Sequence, residues 1–228
     1  MTTDAEQSSL GLLLARSPRL YAAARRARGV FRRTPPPVHS GLVPLRPLRP
    51  PPVDESNHPE ALALQPFCVG SGIDVGCGHR KVAEQCIGVD LLAAGEVGEH
   101  GVVQGQASVA DIQASGDDLH MFADGELDYV VSRHNLEHYV DVVKTLQEWA
   151  RVTRPGGTVA MILPDERAGD TIFLDPTHKH VFTPDSLERL IGVIDGLRFV
   201  RAEVVTPNWS FLAVAEKAEP ARPRGFLD

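Results

Sequence analysis

Apolar positions along the chain follow two rhythms. Between Leu10 and Arg33, Leu20, Tyr21, Ala24, Ala27 and Phe31 fall near one face of a 3.6-residue period, with Arg25, Arg26, Arg28, Arg32 and Arg33 over much of the rest, which predicts an amphipathic helix. From residue 67 onward the apolar residues gather into short continuous runs: the run into Asp74, Ile87–Asp90, Val102–Val109, Leu127–Ser132 and Thr158–Leu163. Runs of that length, bounded by glycine or carboxylate, predict strands buried on both faces. Helical stripes separate the later runs. Asp141 can cap a helix bearing Val142, Val143, Leu146, Trp149 and Ala150, and Thr183-Pro184-Asp185 opens another bearing Leu187, Leu190, Ile191 and Ile194. Phe199–Val205 and Trp209–Ala215 read as two further strands turned by Pro207-Asn208. Strand alternating with helix predicts an α/β fold.

Composition divides the chain. Thr34 to Pro52 contains Pro35-Pro36-Pro37 and Pro50-Pro51-Pro52, so it predicts an extended, semi-rigid strap rather than a helix. The predicted organisation is a basic arm and strap over residues 1–52, one folded domain over 53–218, and a loose tail over 219–228. Residues 1–50 hold nine arginines against Asp4 and Glu6, although the whole chain has a net charge of −7. An acidic body thus carries a basic arm. The body lacks the single-sign basic surface that nucleic acid demands, so no nucleic-acid partner is expected. The arm helix suits two uses: peripheral contact with an anionic membrane surface, or packing as a lid or against a second copy in a homodimer. No apolar run approaches the roughly 18 to 20 residues that span a bilayer, and three cysteines make no disulfide framework. A cytoplasmic location, with membrane contact through the arm, is the expectation.

The strand into Asp74 ends in Val75-Gly76-Cys77-Gly78, and the next ends in Asp90. Glycines in such a turn permit positive φ and close approach of a ligand to the backbone, while a carboxylate at the end of the second strand can accept both ribose hydroxyls. A dinucleotide site needs a third glycine in G-x-G-x-x-G; here His79-Arg80-Lys81 follows instead. The reading is a nucleoside ligand without pyrophosphate.

Further motifs follow in order. Ala110-Asp111-Ile112 comes after the third predicted strand, Arg133-His134-Asn135-Leu136-Glu137-His138 after the fourth, and Arg151-Val152-Thr153-Arg154-Pro155-Gly156-Gly157 before the fifth. Together these resemble the class I S-adenosylmethionine-dependent methyltransferases over roughly residues 67–216. The resemblance implies a Rossmann-like, seven-stranded, mostly parallel sheet with helices on both faces and an antiparallel terminal strand pair. It further implies S-adenosylmethionine as cofactor, held by Asp74, Gly76, Cys77, Gly78, Asp90, Leu91, Asp111, Ile112, Ser132 and Arg133. Only 16 positions separate Asp74 from Asp90, so the first crossover helix is expected to be very short.

Methyl transfer to a hydroxyl needs a positioned base, a metal, or both, because the hydroxyl is a weak acid. His134, His138 and His178 are the candidate bases. Glu137 and His138, with His134 three positions before Glu137 and His178 or His180 from a later loop, resemble the divalent-metal site of small-RNA 2′-O-methyltransferases and ubiquinone-pathway O-methyltransferases, although the first position there is a glutamate and here is His134; a metal set of Glu137, His138, Asp165, Glu166 and His178, with its added carboxylates, implies Mg²⁺. In metal-free relatives the same Leu-Glu-His caps a helix or shapes the acceptor pocket. Asp175-Pro176-Thr177-His178-Lys179-His180 before Phe182 resembles a stretch of small bacterial, actinobacterial-type polysaccharide-cluster methyltransferases, which implies a saccharide hydroxyl as acceptor. Two alternatives stand beside this: a small natural product or quinone as acceptor, and a cofactor-binding scaffold without turnover.

Overall fold

The computed structural model describes residues 58–98, 106–173 and 175–219. The expected arm helix and strap, and with them the membrane and second-copy calls, lie outside these residues, as do 102–105 of the third predicted strand and residues 220–228 of the tail. Seven strands form one sheet: β1 (Gly72–Val75), β2 (Ile87–Asp90), β3 (Ile112–Gln113), β4 (Leu127–Arg133), β5 (Thr153–Pro164), β6 (Leu197–Thr206) and β7 (Ser210–Lys217), in spatial order β3-β2-β1-β4-β5-β7-β6. The first five run parallel, and β7 pairs antiparallel with both β5 and β6. This is the Rossmann-like sheet expected.

Among the described residues three α-helices cover it: α1 (Pro59–Leu64), α2 (Val142–Val152) and α3 (Pro184–Ile191). The period-two alternation of each strand decides which helix it meets. Ile73, Val75, Val130, Val159, Met161, Phe211 and Ala213 face Leu146, Trp149 and Ala150 of α2 and Leu187 and Ile191 of α3. Tyr129, Val131, Ala160, Ile162, Leu212 and Val214 face the other way, onto Leu64, Cys68, Val82 and Cys86. The helix ends match their sequence signals. The Asp141 carboxylate accepts from Lys144 N, and Thr183 and Ser186 form a reciprocal capping box around the start of α3.

Glycine lets the central strands come together. A Cβ on Gly72 would lie 2.4 Å from the Tyr129 carbonyl oxygen, so β1 approaches β4 only without a side chain there. At the same strand ends Asp128 accepts from Ser71 N at 2.7 Å and from Arg154 Nε at 2.6 Å.

Four expectations require correction. The β1–β2 connection contains no helix at all: Gly76 to Cys86 is a succession of turns, closed by Val82 N donating to Asp74 at 2.6 Å. The third strand is not 102–109 but the two residues Ile112–Gln113, because it is there that the chain pairs with β2, Val89 opposite Ile112 and Asp90 opposite Gln113. The fifth strand starts five residues early, at Thr153, running through Pro155-Gly156-Gly157. The terminal pair is longer than read, with β7 continuing past Ala215 through Glu216 and Lys217.

Leu146 is fully buried between α2 and the sheet. Leu146→Ala is expected to cost about 2–5 kcal/mol of unfolding free energy, measured by urea denaturation, with an unchanged dependence on denaturant.

Candidate active site

The parallel strands place their carboxyl ends on one edge, and the strand order turns about β1, between β2 and β4. Ligands of open α/β sheets sit at such a reversal. Gly76 (φ +73°) and Gly78 (φ +57°) carry the chain over it, with Gly76 N donating to Val89 O at 2.8 Å. A Cβ on Gly76 would fall 2.4 Å from Asn135 Cγ, so the Asn135 side chain lies directly against the turn. Asn135 Nδ2 donates to the Tyr139 hydroxyl at 3.0 Å, and Gly116 N, just past β3, donates to the same oxygen at 3.1 Å. Both lone pairs of that oxygen are used, which leaves its proton to give. Asn135 and Tyr139 are site residues that the motif reading passed over.

Asp90 ends β2 nearly buried. Its Oδ2 accepts from Gly78 N at 2.9 Å and its Oδ1 from Leu92 N at 3.0 Å. Each oxygen keeps a second acceptor direction, so the carboxylate is oriented by the backbone and still able to take two hydroxyls. Exposed Leu91 adjoins it. Cys77 is buried within the turn, and burial pushes its thiol up to about 12, so it serves as packing. Ser132 donates to Val75 O at 2.9 Å and binds β4 to β1 rather than presenting its hydroxyl to the crevice. Arg133, the last residue of β4, is only partly buried.

Asp111 moves away from the role expected of it. It precedes β3 instead of following it, accepts from Gly88 N at 2.7 Å and pairs with Lys81 at 2.5 Å. Those bonds, Lys81 foremost, hold its carboxyl below the usual range. Past the carboxyl end of β3 stand Ala114 and Ser115; Ile112 lies within the strand against β2.

Asp74 is wholly buried and keeps one oxygen, Oδ1, without a hydrogen bond. Burial raises its pKa to about 7, partly opposed by the Val82 N–H. Its role is to close the turn from inside.

A second group of side chains follows β4. His134 has φ +51°, a left-handed conformation rare outside glycine, with its N–H donating to Ile162 O at 2.8 Å and its ring 5.7 Å from that of Trp209. His134 Nε2 meets Glu60 Oε1 at 2.9 Å, and Ser210 Oγ donates to the same carboxylate oxygen at 2.6 Å. Glu60 sits in the first turn of α1, buried, and nothing in its spacing, 74 positions before His134, betrays the contact. Burial alone would draw the His134 pKa down, but Glu60, and Glu137 with Nδ1 3.7 Å from its Oε1, raise it to about 9. Burial likewise opposes ionisation of Glu60, yet His134 carries its pKa to about 2. At neutral pH the pair is imidazolium and carboxylate. His134, expected as a base, is therefore already protonated.

Glu137, His138 and His178 do come together, one ligand atom from each lying within 4.8 Å of the others. The Glu137 side chain is 2% exposed and neither oxygen has a hydrogen-bond partner. The Lys179 and His180 N–H groups donate to its backbone carbonyl and draw the later loop over it. His138 Nδ1 is 2.8 Å from Thr177 Oγ1, which donates its own proton to Asp175 at 2.6 Å. Thr177 must then accept from His138 Nδ1–H, and Nε2 is left bare. Burial lowers the His138 pKa, keeping the ring neutral. His178 Nδ1 donates to Thr171 O at 2.8 Å, since a carbonyl only accepts, and its Nε2 points towards Glu137 at 4.0 Å.

Asp165 and Glu166 do not join this cluster. Asp165 is engaged by Arg167, with Nη2 at 2.7 Å, and Glu166 by the Thr171 N–H and hydroxyl. Without them the donor set is two nitrogens and one carboxylate. That does not fit Mg²⁺, which takes oxygen ligands.

Residues 68–161 match the family model described as a methyltransferase domain. Over that stretch the chain is similar to methyltransferase domains. Among curated proteins it is similar to the chloroplastic tocopherol O-methyltransferase of Arabidopsis thaliana, 31% identical over 100 residues, 40% of this chain and 29% of that protein. It is also similar to the ubiquinone/menaquinone biosynthesis C-methyltransferase UbiE of Bdellovibrio bacteriovorus, 28% identical over 156 residues, 68% of this chain and 58% of that protein. The matches thus span less than two thirds of either relative. A solved structure of the same fold is the Burkholderia thailandensis 1,6-didemethyltoxoflavin-N1-methyltransferase with 1,6-didemethyltoxoflavin and S-adenosylhomocysteine. It has a TM-score of 0.51 and 16% identity, covering 72% of this chain and 79% of that one. No helix among the described residues is long and apolar enough to cross a membrane.

The buried Asp74 gives this domain a pH signature. Between about pH 4 and pH 7 the unfolded chain releases the Asp74 proton while the folded chain retains it, so stability falls as pH rises through that window and levels off above it. The slope is at most about 1.4 kcal/mol per pH unit. Denaturation of wild type and Asp74→Asn at pH 4, 5.5, 7 and 8 is expected to show this loss in wild type relative to the variant; parallel curves would contradict it.

Proposed function

We propose that the protein is an S-adenosylmethionine-dependent O-methyltransferase whose acceptor is a hydroxyl of a saccharide. The observation that carries the reading is the meeting, two residues past the Asn135 that lies against the Gly76 turn, of the Glu137 carboxylate with the rings of His138 and His178, whose Nδ1 atoms are held by Thr177 and Thr171. A hydroxyl ionises too weakly to attack a methyl group unaided, and such a group of basic side chains is what its activation calls for. A binding scaffold has no use for them.

In this reading Asp90 takes the ribose hydroxyls, Gly76 and Gly78 allow the backbone to lie close to the cofactor, and the Tyr139 hydroxyl and the Ala114–Ser115 corner border the adenine side. The acceptor oxygen attacks the methyl carbon in line with sulfur. The carbon–sulfur bond breaks with its electron pair going to sulfur, S-adenosylhomocysteine forms, and the acceptor proton passes to the Glu137–His138–His178 cluster. His134, already protonated, contributes positive charge beside Glu137 and not a site for the proton.

The saccharide rests on the Asp175-Pro176-Thr177-His178 segment, whose Asp175 and Thr177 orient His138. A second reading, a quinone or related aromatic acceptor, is favoured by the names of the two curated relatives, a tocopherol O-methyltransferase and a ubiquinone/menaquinone biosynthesis C-methyltransferase. A methyl-transfer screen with labelled cofactor over mono- and oligosaccharides and over quinols separates them. Product on a sugar hydroxyl supports the first reading; product on a quinol alone replaces it.

Cofactor binding is testable without the acceptor. Calorimetry is expected to give micromolar-range affinity for S-adenosylhomocysteine, weakened at least about tenfold by Asp90→Ala, since each hydrogen bond to a charged group is worth about 1.5–3 kcal/mol. Gly76→Ala is expected to abolish binding by driving a methyl group into Asn135, and, because the clash and the φ of +73° strain the free protein too, to lower its thermal unfolding temperature, so binding is read on samples shown to be folded.

A further inference from the structure

We propose that Cys68 and Cys86 form a peroxide-reactive thiol pair, with Cys86 the attacking sulfur, that closes to a reversible disulfide at the amino-terminal edge of the sheet. The bond joins the two ends of the stretch that carries β1 and the Gly76–Gly78 turn. It stands apart from the reading of the active site and does not depend on it.

Cys68 precedes β1 and Cys86 precedes β2, and the parallel register that sets Ile73 opposite Ile87 brings the two approaches side by side. Both thiols are free, and their sulfurs lie 3.6 Å apart in hydrogen-bond contact. A disulfide holds its sulfurs about 2.05 Å apart, so an approach of about 1.6 Å closes the bond. Side-chain amides bind the two segments to each other: Gln85 Nε2 donates to Cys68 O at 3.2 Å and Gln65 Nε2 to Val82 O at 3.2 Å. One sulfur is also prepared to attack. The buried Tyr129 hydroxyl donates to Cys86 Sγ at 3.3 Å. Hydrogen bonding from Cys68, joined by Tyr129 and the charge of Lys81, holds the Cys86 thiol below its usual range against the opposing effect of burial, and Cys68 is driven up in return. The pair therefore loses its first proton from Cys86, and the thiolate is the nucleophile. Cys77 differs, its S–H being directed at Gly78 O at 3.9 Å. Both sulfurs of the pair are buried, yet Val69, 73% exposed, follows Cys68 and exposed Gln85 precedes Cys86, so a small oxidant needs only a local opening of this edge.

The oxidant is hydrogen peroxide. The Cys86 thiolate attacks one peroxide oxygen, a sulfur–oxygen bond forms, the oxygen–oxygen bond breaks, and the departing hydroxide takes a proton to become water. The Cys68 sulfur, giving up its own proton, then attacks Cys86 Sγ. The sulfur–sulfur bond forms as the sulfur–oxygen bond breaks, and the second hydroxide leaves as water with that proton. Two thiols and one peroxide thus become one disulfide and two waters, the two electrons lost by sulfur reducing the peroxide. A dithiol reverses the bond by exchange. The closed loop spans 18 positions and encloses Asp74, Gly76 and Gly78, so the bond restrains in the unfolded chain the stretch that forms the turn.

The test uses the full chain, reduced with dithiothreitol, freed of it under argon and treated near neutral pH with a small excess of hydrogen peroxide. Mass spectrometry is expected to show the loss of two hydrogens per chain, restored by dithiothreitol. Digestion with trypsin and Asp-N separates the three cysteines at Asp74 and Lys81, and is expected to give the Cys68 and Cys86 peptides linked and Cys77 still open to alkylation. Cys68→Ser and Cys86→Ser are each expected to abolish the link. Should either fail to fold by circular dichroism, alanine at the same position is expected to show the same loss. Tyr129→Phe keeps the ring, removes the donor to Cys86, and is expected to slow oxidation at least about threefold. Oxidised wild type is expected to unfold about 5 °C or more above the reduced chain. A link made through Cys77, sulfinic acid without disulfide, bond formation only in denaturant, an unchanged rate in Tyr129→Phe, or a lower unfolding temperature after oxidation overturns the proposal.

Discussion

The parallel pairing of β1 with β2 on one side and β4 on the other is the constraint on which the rest depends. All four residues of β1 are buried, and the strand reaches β4 only because Gly72 has no side chain to strike Tyr129. With β1 fixed there, the chain must leave its carboxyl end over a turn tight enough for glycine. The next strand brings Asp90 to that turn, and the strand on the other side delivers residues 134–138. Ser132 secures the same junction from β4 by donating to Val75 O. One backbone arrangement thus brings a ribose-sized carboxylate and a group of proton-accepting side chains to neighbouring positions.

Charge organises the second half of the site as packing organises the first. Glu60, His134 and Glu137 stand in a row in which a cation lies between two buried anions, and Ser210 supports the outer anion. The row joins α1 to the carboxyl ends of β4 and β5 and to the start of β7, elements far apart in the chain. It holds His134 in its unusual left-handed conformation, since the ring must point between two carboxylates while the N–H remains in the sheet's hydrogen-bond pattern with Ile162. The consequence for chemistry is a division of labour among three histidines. One is charged and structural, and two gather beside Glu137, His178 with its Nε2 directed at that carboxylate.

Much of this was legible in the sequence, because local signals carry it. Apolar runs ending in Asp74 and Asp90, the Gly76–Gly78 turn, the caps Asp141 and Thr183, and the Pro207-Asn208 turn each state their conformation within a few residues. The third strand was misread because a two-residue strand has no periodicity to detect, and Asp111 was misplaced with it. Asp165 and Glu166 had the right chemistry for a metal but are spent on Arg167 and Thr171, close neighbours whose claim on them depends on a local turn. Glu60 was invisible because its contact with His134 is purely tertiary, and the charge on His134 was invisible with it. The grouping of Glu137 with His138 and His178 was readable as composition, whereas the tautomers that make it purposeful depend on Thr171 and Thr177 in three dimensions.

The central claim is that the crevice at the end of β1 holds an adenosyl cofactor beside the Glu137 cluster. A crystal structure of the protein grown with S-adenosylhomocysteine tests it most directly. The account predicts both ribose hydroxyls on the Asp90 carboxylate, adenine bordered by Ala114, Ser115 and Tyr139, and the sulfur turned towards the side of Glu137 and His138. Density for the nucleoside at any other edge of the sheet, or a ribose with no contact to Asp90, would contradict it.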